Sequence, residues 1–222
     1  MNKLTRNFPK LALFATISLI VSACSEETPS PAGVSSTEKA VIELTDVVIP
    51  ETGDYEAGVD AAFNEDYDTA FREFTIAAEA GLDVAQYNLA ILYFFGRGVD
   101  RNLDEAFKWT EAAADQGHIA AMFNLGSLYY TGDGTVANWD RSVELYQQAG
   151  QAGHPEAAFV MATMYKDGDH VSTDPVQAHA WANLALSLDH SGAADMMESL
   201  ESALSEQQLS EARRQFARWQ IQ

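Results

Sequence analysis

From residue 83 to about 188 the apolar positions recur at helical spacing, not at the alternation of strands. In Asp83–Phe95 (DVAQYNLAILYFF), Ala85, Leu89 and Leu92 share one face. In 103–116 (LDEAFKWTEAAADQ), Ala106, Trp109 and Ala113 form a second stripe. The glycines of 96–99 (GRGV) break the pattern between the two, and Gly117 closes the second helix. The whole unit then returns every 36 residues. Gly81, Gly117 and Gly153 keep that step, as do Gly96, Gly132 and Gly168. So do Ala85, Ala121, Ala157 and Ala193, and so do Ala70, Ala106, Ser142 and Ala178. Leu89, Leu125 and Met161 share the register with Leu92, Leu128 and Met164 and with Tyr93, Tyr129 and Tyr165. One helix pair cannot bury its apolar face alone, so a fixed step predicts stacked pairs. The alanines let paired axes approach to the short end of the usual 8–10 Å. The expectation is an all-α solenoid of ten helices in five antiparallel pairs.

The strings Ala85-Gln86-Tyr87-Asn88-Leu89-Ala90-x-x-Tyr93-x-x-Gly96-x-Gly98-Val99 and Ala106-x-x-Trp109-x-x-x-Ala113-Ala114-x-x-Gly117 resemble Sel1-like repeats, a branch of the tetratricopeptide-like solenoids. Copies are expected at 83–118, 119–154 and 155–190. A degenerate unit would precede them at 51–82, and capping helices would follow at 191–222. The third copy departs twice: His170 stands for the second loop glycine and Asp189 for the closing one. In the tail, Ser205 with Gln208 three residues on is a capping box, and Arg213, Arg214 and Arg218 suit the C-terminal end of the last helix.

The N-terminus reads differently. Residues 1–10 carry Lys3, Arg6 and Lys10 and no acid, and 11–21 (LALFATISLIV) is an uncharged apolar run. That run is too short to span a bilayer and right for a signal-peptide core. It ends in Val21-Ser22-Ala23-Cys24, which resembles the lipobox of bacterial lipoproteins. The resemblance implies cleavage after residue 23, acyl chains on Cys24 and, with Ser25 following, sorting to the outer membrane on its periplasmic side. Residues 24–50 form a tether rich in Ser, Pro, Glu and Thr at its start, with an apolar stretch at 40–49 that reads as a strand or as a docked segment.

Charge narrows the partners. The chain has 222 residues, 33 acids and 13 bases, a formal −20. Such a body repels phosphate backbones, so nucleic acid is not an expected partner, and it repels anionic lipid, so the membrane is expected only through acyl chains. The single cysteine excludes an internal disulfide and a multi-cysteine zinc site.

Linear chemistry is sparse. No phosphate loop, zinc-protease motif or Gly-x-Ser-x-Gly is present. Ser36-Thr37-Glu38-Lys39 matches a short penicillin-binding pattern without its companion motifs. His118, His154 and His190 are 36 apart, each at the start of a first helix. Neighbouring pairs are too far apart to share one ion among them, so they read as repeat-positional residues. His179 reads as a packed or rim residue, and His170 beside Asp167, Asp169 and Asp174 as at most a weak cation site. No metal, cofactor or catalytic residue is expected.

What remains is surface. The first helices should line the concave face, with Tyr87, Ile91, Phe94, Phe123, Ser127, Tyr130, Phe159 and Thr163 turned away from the core stripe. Two readings of the aromatic row are open: anchors in the groove or rings packed between repeats. Asn88 and Asn124 likewise either hold a ligand backbone or bond neighbouring helices. The expectation is a monomeric, lipid-anchored adaptor that holds a protein or peptide, favoured as basic by charge. The alternative is a cell-envelope hydrolase or β-lactamase-like enzyme on the same scaffold.

Overall fold

The computed structural model describes residues 54–219. Cys24 and its lipobox, the Ser36–Lys39 match and the stretch 40–49 lie outside the described residues. Ten helices follow in order: α1 Tyr55–Phe63, α2 Tyr67–Glu79, α3 Asp83–Phe95, α4 Leu103–Asp115, α5 Ile119–Thr131, α6 Trp139–Gln151, α7 Pro155–Asp167, α8 Pro175–Ser187, α9 Ala193–Ala203 and α10 Glu206–Trp219. Each packs on the next from α1 to α9, and α10 returns onto α8. The fold is an all-α helical-repeat solenoid.

The ends of each helix explain the period. The first helices α3, α5 and α7 stop at Gly96, Gly132 and Gly168, all left-handed, where the glycine N–H bonds the carbonyl four residues back. The chain then crosses to the second helix, and Asn102, Asn138 and Asp174 each donate a backbone N–H to the carbonyl of Tyr93, Tyr129 or Tyr165. The side chains of the same three residues accept first-turn N–H groups and so cap α4, α6 and α8. One loop design is therefore used three times.

Of the seven series seen in the sequence, the two glycine series lie at helix ends and the other five on the helices that pack together. Ala85, Ala121, Ala157 and Ala193 are fully buried, as are Leu89, Met161 and Leu128. Each buried leucine or methionine contributes about 1.5–3 kcal/mol of apolar transfer. Tyr93 meets Phe71 edge-on at 5.4 Å and Tyr129 meets Phe107 at 5.3 Å, so the tyrosine series ties each first helix to the previous second helix. At the C-terminus, Gln208 Oε1 accepts the Ser205 N–H at 3.0 Å and the Gln208 N–H reaches Ser205 Oγ at 3.3 Å, a complete capping box. Trp219 packs on Trp181, which holds α10 against α8.

Candidate functional site

The expected binding face runs along α3, α5 and α7, and most of its aromatic row is spent on holding the stack together. Tyr87 stacks on His118 with ring centroids 4.6 Å apart, Phe123 on His154 at 4.5 Å, and Phe159 on His190 at 4.1 Å. All three pairs are within 25° of parallel. The ring of one first helix thus lies on the histidine that opens the next. His118 and His154 also cap those helices, because Nδ1 accepts the N–H of Ala121 and of Ala157. His190 accepts from the Gly192 N–H and reaches Glu156 at 2.9 Å. Burial lowers the pKa of His118 and of His154, which keeps Nδ1 free to accept.

The asparagines act across the same boundaries. Asn88 donates to the Tyr55 hydroxyl at 3.1 Å, and Asn124 donates to the Tyr87 hydroxyl at 3.3 Å. Where the tyrosine gives way to Phe123, which has no hydroxyl, the amide position becomes Val160. Amide and hydroxyl come and go together. Asn88 and Asn124 therefore join repeats.

Three of the ten expected contact residues lie inside. Phe123, Asn124 and Ser127 are 3–5% exposed. Ser127 bonds the Tyr146 hydroxyl at 2.9 Å, and Phe123 packs on the same ring. The cause is Gly126: it lies so close to the Tyr146 ring that a Cβ there would be 3.0 Å from it. With α6 drawn in, this part of α5 has no outward side. Tyr87 and Phe159 are half-buried in their histidine stacks. Still partly open are Ile91, Phe94, Tyr130 and Thr163. Phe94 lies under the Arg101 guanidinium at 5.6 Å, Tyr130 donates to Asp169 at 2.8 Å, and Thr163 donates to the Phe159 carbonyl.

The Sel1 repeat family matches three consecutive stretches, residues 83–118, 119–154 and 155–190. The chain carries three Sel1 repeats. A crystal structure of a Sel1 repeat protein from Oxalobacter formigenes superposes with a TM-score of 0.64 at 24% identity, over 75% of this chain and 72% of that one. A protective antigen of uropathogenic Escherichia coli with an SLR fold gives 0.44 at 24% identity, over 68% of this chain and 40% of that one. No curated protein matches the chain.

Outside the inner face, the Sel1 stack carries two further polar centres. Fully buried His179 lies with Nε2 3.5 Å from Glu201 of α9, which is itself 3.9 Å from Arg213 of α10. Burial lowers the His179 pKa, with Glu201 opposing. At the loop edge, His170 stacks on Trp139 at 4.4 Å and 15°, edge-on to Tyr130 at 5.4 Å, with Nε2 3.6 Å from Asp169. Among the described residues no group of three His, Cys, Asp or Glu could hold a metal ion, and no helix is long and apolar enough to cross a membrane. The ring–histidine stacks were present in the sequence as two series in one register, the aromatic 31 residues before its histidine.

Proposed function

We propose that this protein is an adaptor of a bacterial cell envelope, anchored by acyl chains on Cys24 to the periplasmic side of the outer membrane. Its Sel1 stack holds a protein or peptide partner on the face lined by the first helices, the concave side of such stacks. The observation that carries this is the division of labour along that face. The histidine-stacked rings and the asparagines supply rigidity, and Ile91, Phe94, Tyr130 and Thr163 remain partly open between them. Residues 54–219 carry nine bases against 27 acids, a formal −18, which favours a basic partner. The same charge repels anionic lipid. Anchoring then falls to the acyl chains, at about 0.8 kcal/mol per buried CH₂.

The test is a photo-crosslinking residue placed in the full-length protein in intact cells, at Ile91 or Thr163 on the first helices and at Lys108 or Glu144 on the second. One shared crosslinked species from 91 and 163, with none from 108 and 144, is expected. Crosslinks independent of position, or none, would remove the adaptor reading. In the same cells Cys24→Ala should move the protein from the membrane to the soluble fraction; unchanged membrane retention would remove the anchor.

A further inference from the structure

In this stack the second loop residue after each first-helix cap lies on the opening residue of the preceding second helix. Gly98 lies on Tyr67 and Gly134 on Leu103, so closely that a Cβ at either would come within 2.1 Å of the backbone oxygen beneath it. Backbone rests on backbone, and only glycine fits. The third loop changes both partners at once: His170 replaces the glycine and Trp139 replaces the tyrosine or leucine. His170 keeps the left-handed backbone at φ +55°, which costs any residue with a Cβ. Its ring lies flat on the indole at 4.4 Å. The substitution does not bury the indole: Trp139 remains 50% exposed, and Val136 beside it in the chain is 86% exposed. A compensated packing change would have covered both.

The surroundings select a ligand chemistry. The Asp169 carboxylate is held at the platform by the Tyr130 hydroxyl at 2.8 Å and lies 3.6 Å from His170 Nε2. A carboxylate offers acceptors only, and the platform offers aromatic faces, in a body of formal −18. Aromatic faces beside a carboxylate suit a flat cation, which stacks on the ring and donates to the oxygens. The field of the acidic body concentrates such cations at the surface. A neutral sugar would stack too and could use the indole and imidazole N–H groups, but it gains nothing from the field of the acidic body.

We propose that Trp139, His170 and Asp169 form a docking site for an arginine side chain of the partner. The proposal rests on the reading of a basic partner given above. It is tested on the full-length protein in dodecyl maltoside, titrated with acetyl-Arg-Gly-Arg-Gly-Arg-amide at 50 mM and 500 mM NaCl, with Trp139 followed by its indole N–H resonance. Trp139→Leu and His170→Gly each introduce a residue that the preceding repeat already uses at the same place, Leu103 or Gly134, so both variants should fold. For them affinity is read from peptide anisotropy and folding from the melting temperature. Saturable binding by the wild type, weakened at least tenfold by either variant and by salt, with melting unchanged within about 2 °C, is the expected result. Equal affinity in wild type and variants would overturn the site and leave a basic partner in place. No peptide binding, or an indole shift with tetra-N-acetylchitotetraose alone, would overturn it in favour of another ligand. The Ile91 crosslink reports on the adaptor reading separately, since it does not involve this edge.

Discussion

The bond between Asn124 and Tyr87 crosses the boundary between the first and second Sel1 repeats, and it can be removed from either side. Asn124 is 3% exposed, so Tyr87→Phe leaves its amide N–H without the 3.3 Å acceptor. A buried donor stranded in this way costs about 1–2 kcal/mol. Asn124→Val leaves the Tyr87 hydroxyl alone, but that residue is only half-buried and water can reach it, so the cost falls to about 0.5–1 kcal/mol. The double variant recreates the Phe–Val pair that the chain already uses at Phe123 and Val160, and its expected loss is below about 0.5 kcal/mol. The cycle should therefore show a coupling of about 1–3 kcal/mol, well above the usual error of additivity.

Urea melts followed by circular dichroism measure all four proteins. For a stack of this size each kcal/mol moves the thermal midpoint by about 2–4 °C, so heat melts offer a second reading. Costs of the two single changes that simply add in the double variant would refute the reasoning. Asn124 would then be a buried residue with no role in joining repeats, and its absence at Val160 would be unconnected with Phe123.

Three further outcomes follow from the same geometry. Gly134→Ala should lose about 2–4 kcal/mol, because it combines left-handed strain with a clash against the Leu103 carbonyl, whereas Gly117→Ala, with open space around it, should lose only about 1–2 kcal/mol; urea melts compare them. His118 and His154 have folded pKa values below 6.5, so the unfolded chain binds more protons, and stability should fall as pH drops through 6.5 towards the folded values. His118→Asn and His154→Asn keep a capping side chain without the titration, and melts at pH 7.5 and 5 should show a smaller acid loss for each. Ser205→Ala should cost about 1 kcal/mol and raise hydrogen exchange in the first turn of α10 about fivefold while leaving α5 unchanged.

The fold was legible because a 36-residue step constrains every level at once. The glycines end helices, the alanines and leucines mark the faces that pair, and the tyrosines bridge to the previous repeat. The binding face was less legible, for a physical reason. A helical wheel separates one buried face from one open face. A first helix here packs on its own second helix, on the previous second helix and on the neighbouring first helices. In α5 the six residues from Phe123 to Leu128 are buried in succession, so no wheel position in that stretch is outward. In α3 the matching residues include Ala90 and Ile91 where α5 has Gly126 and Ser127, and Ile91 keeps part of its surface. The difference lies in a glycine whose effect depends on Tyr146, 20 residues away, and periodicity does not report it.

The boundaries also show how departures from a repeat can be read. The joining chemistry drifts only at the last boundary: Tyr55–Asn88 and Tyr87–Asn124 keep the same hydroxyl and amide, and at Phe123 and Val160 both positions turn apolar together while staying buried or half-buried. Such drift is what independent neighbour terms allow, since each boundary needs only to satisfy itself. The pair Trp139–His170 also changed together, but with the opposite result: half the tryptophan faces water and the histidine holds a glycine's backbone. Burial rewards the first kind of change and not the second. The stability of the stack therefore explains the asparagines and the stacked histidines but not the half-exposed indole at the loop edge, for which the proposed arginine docking supplies a reason.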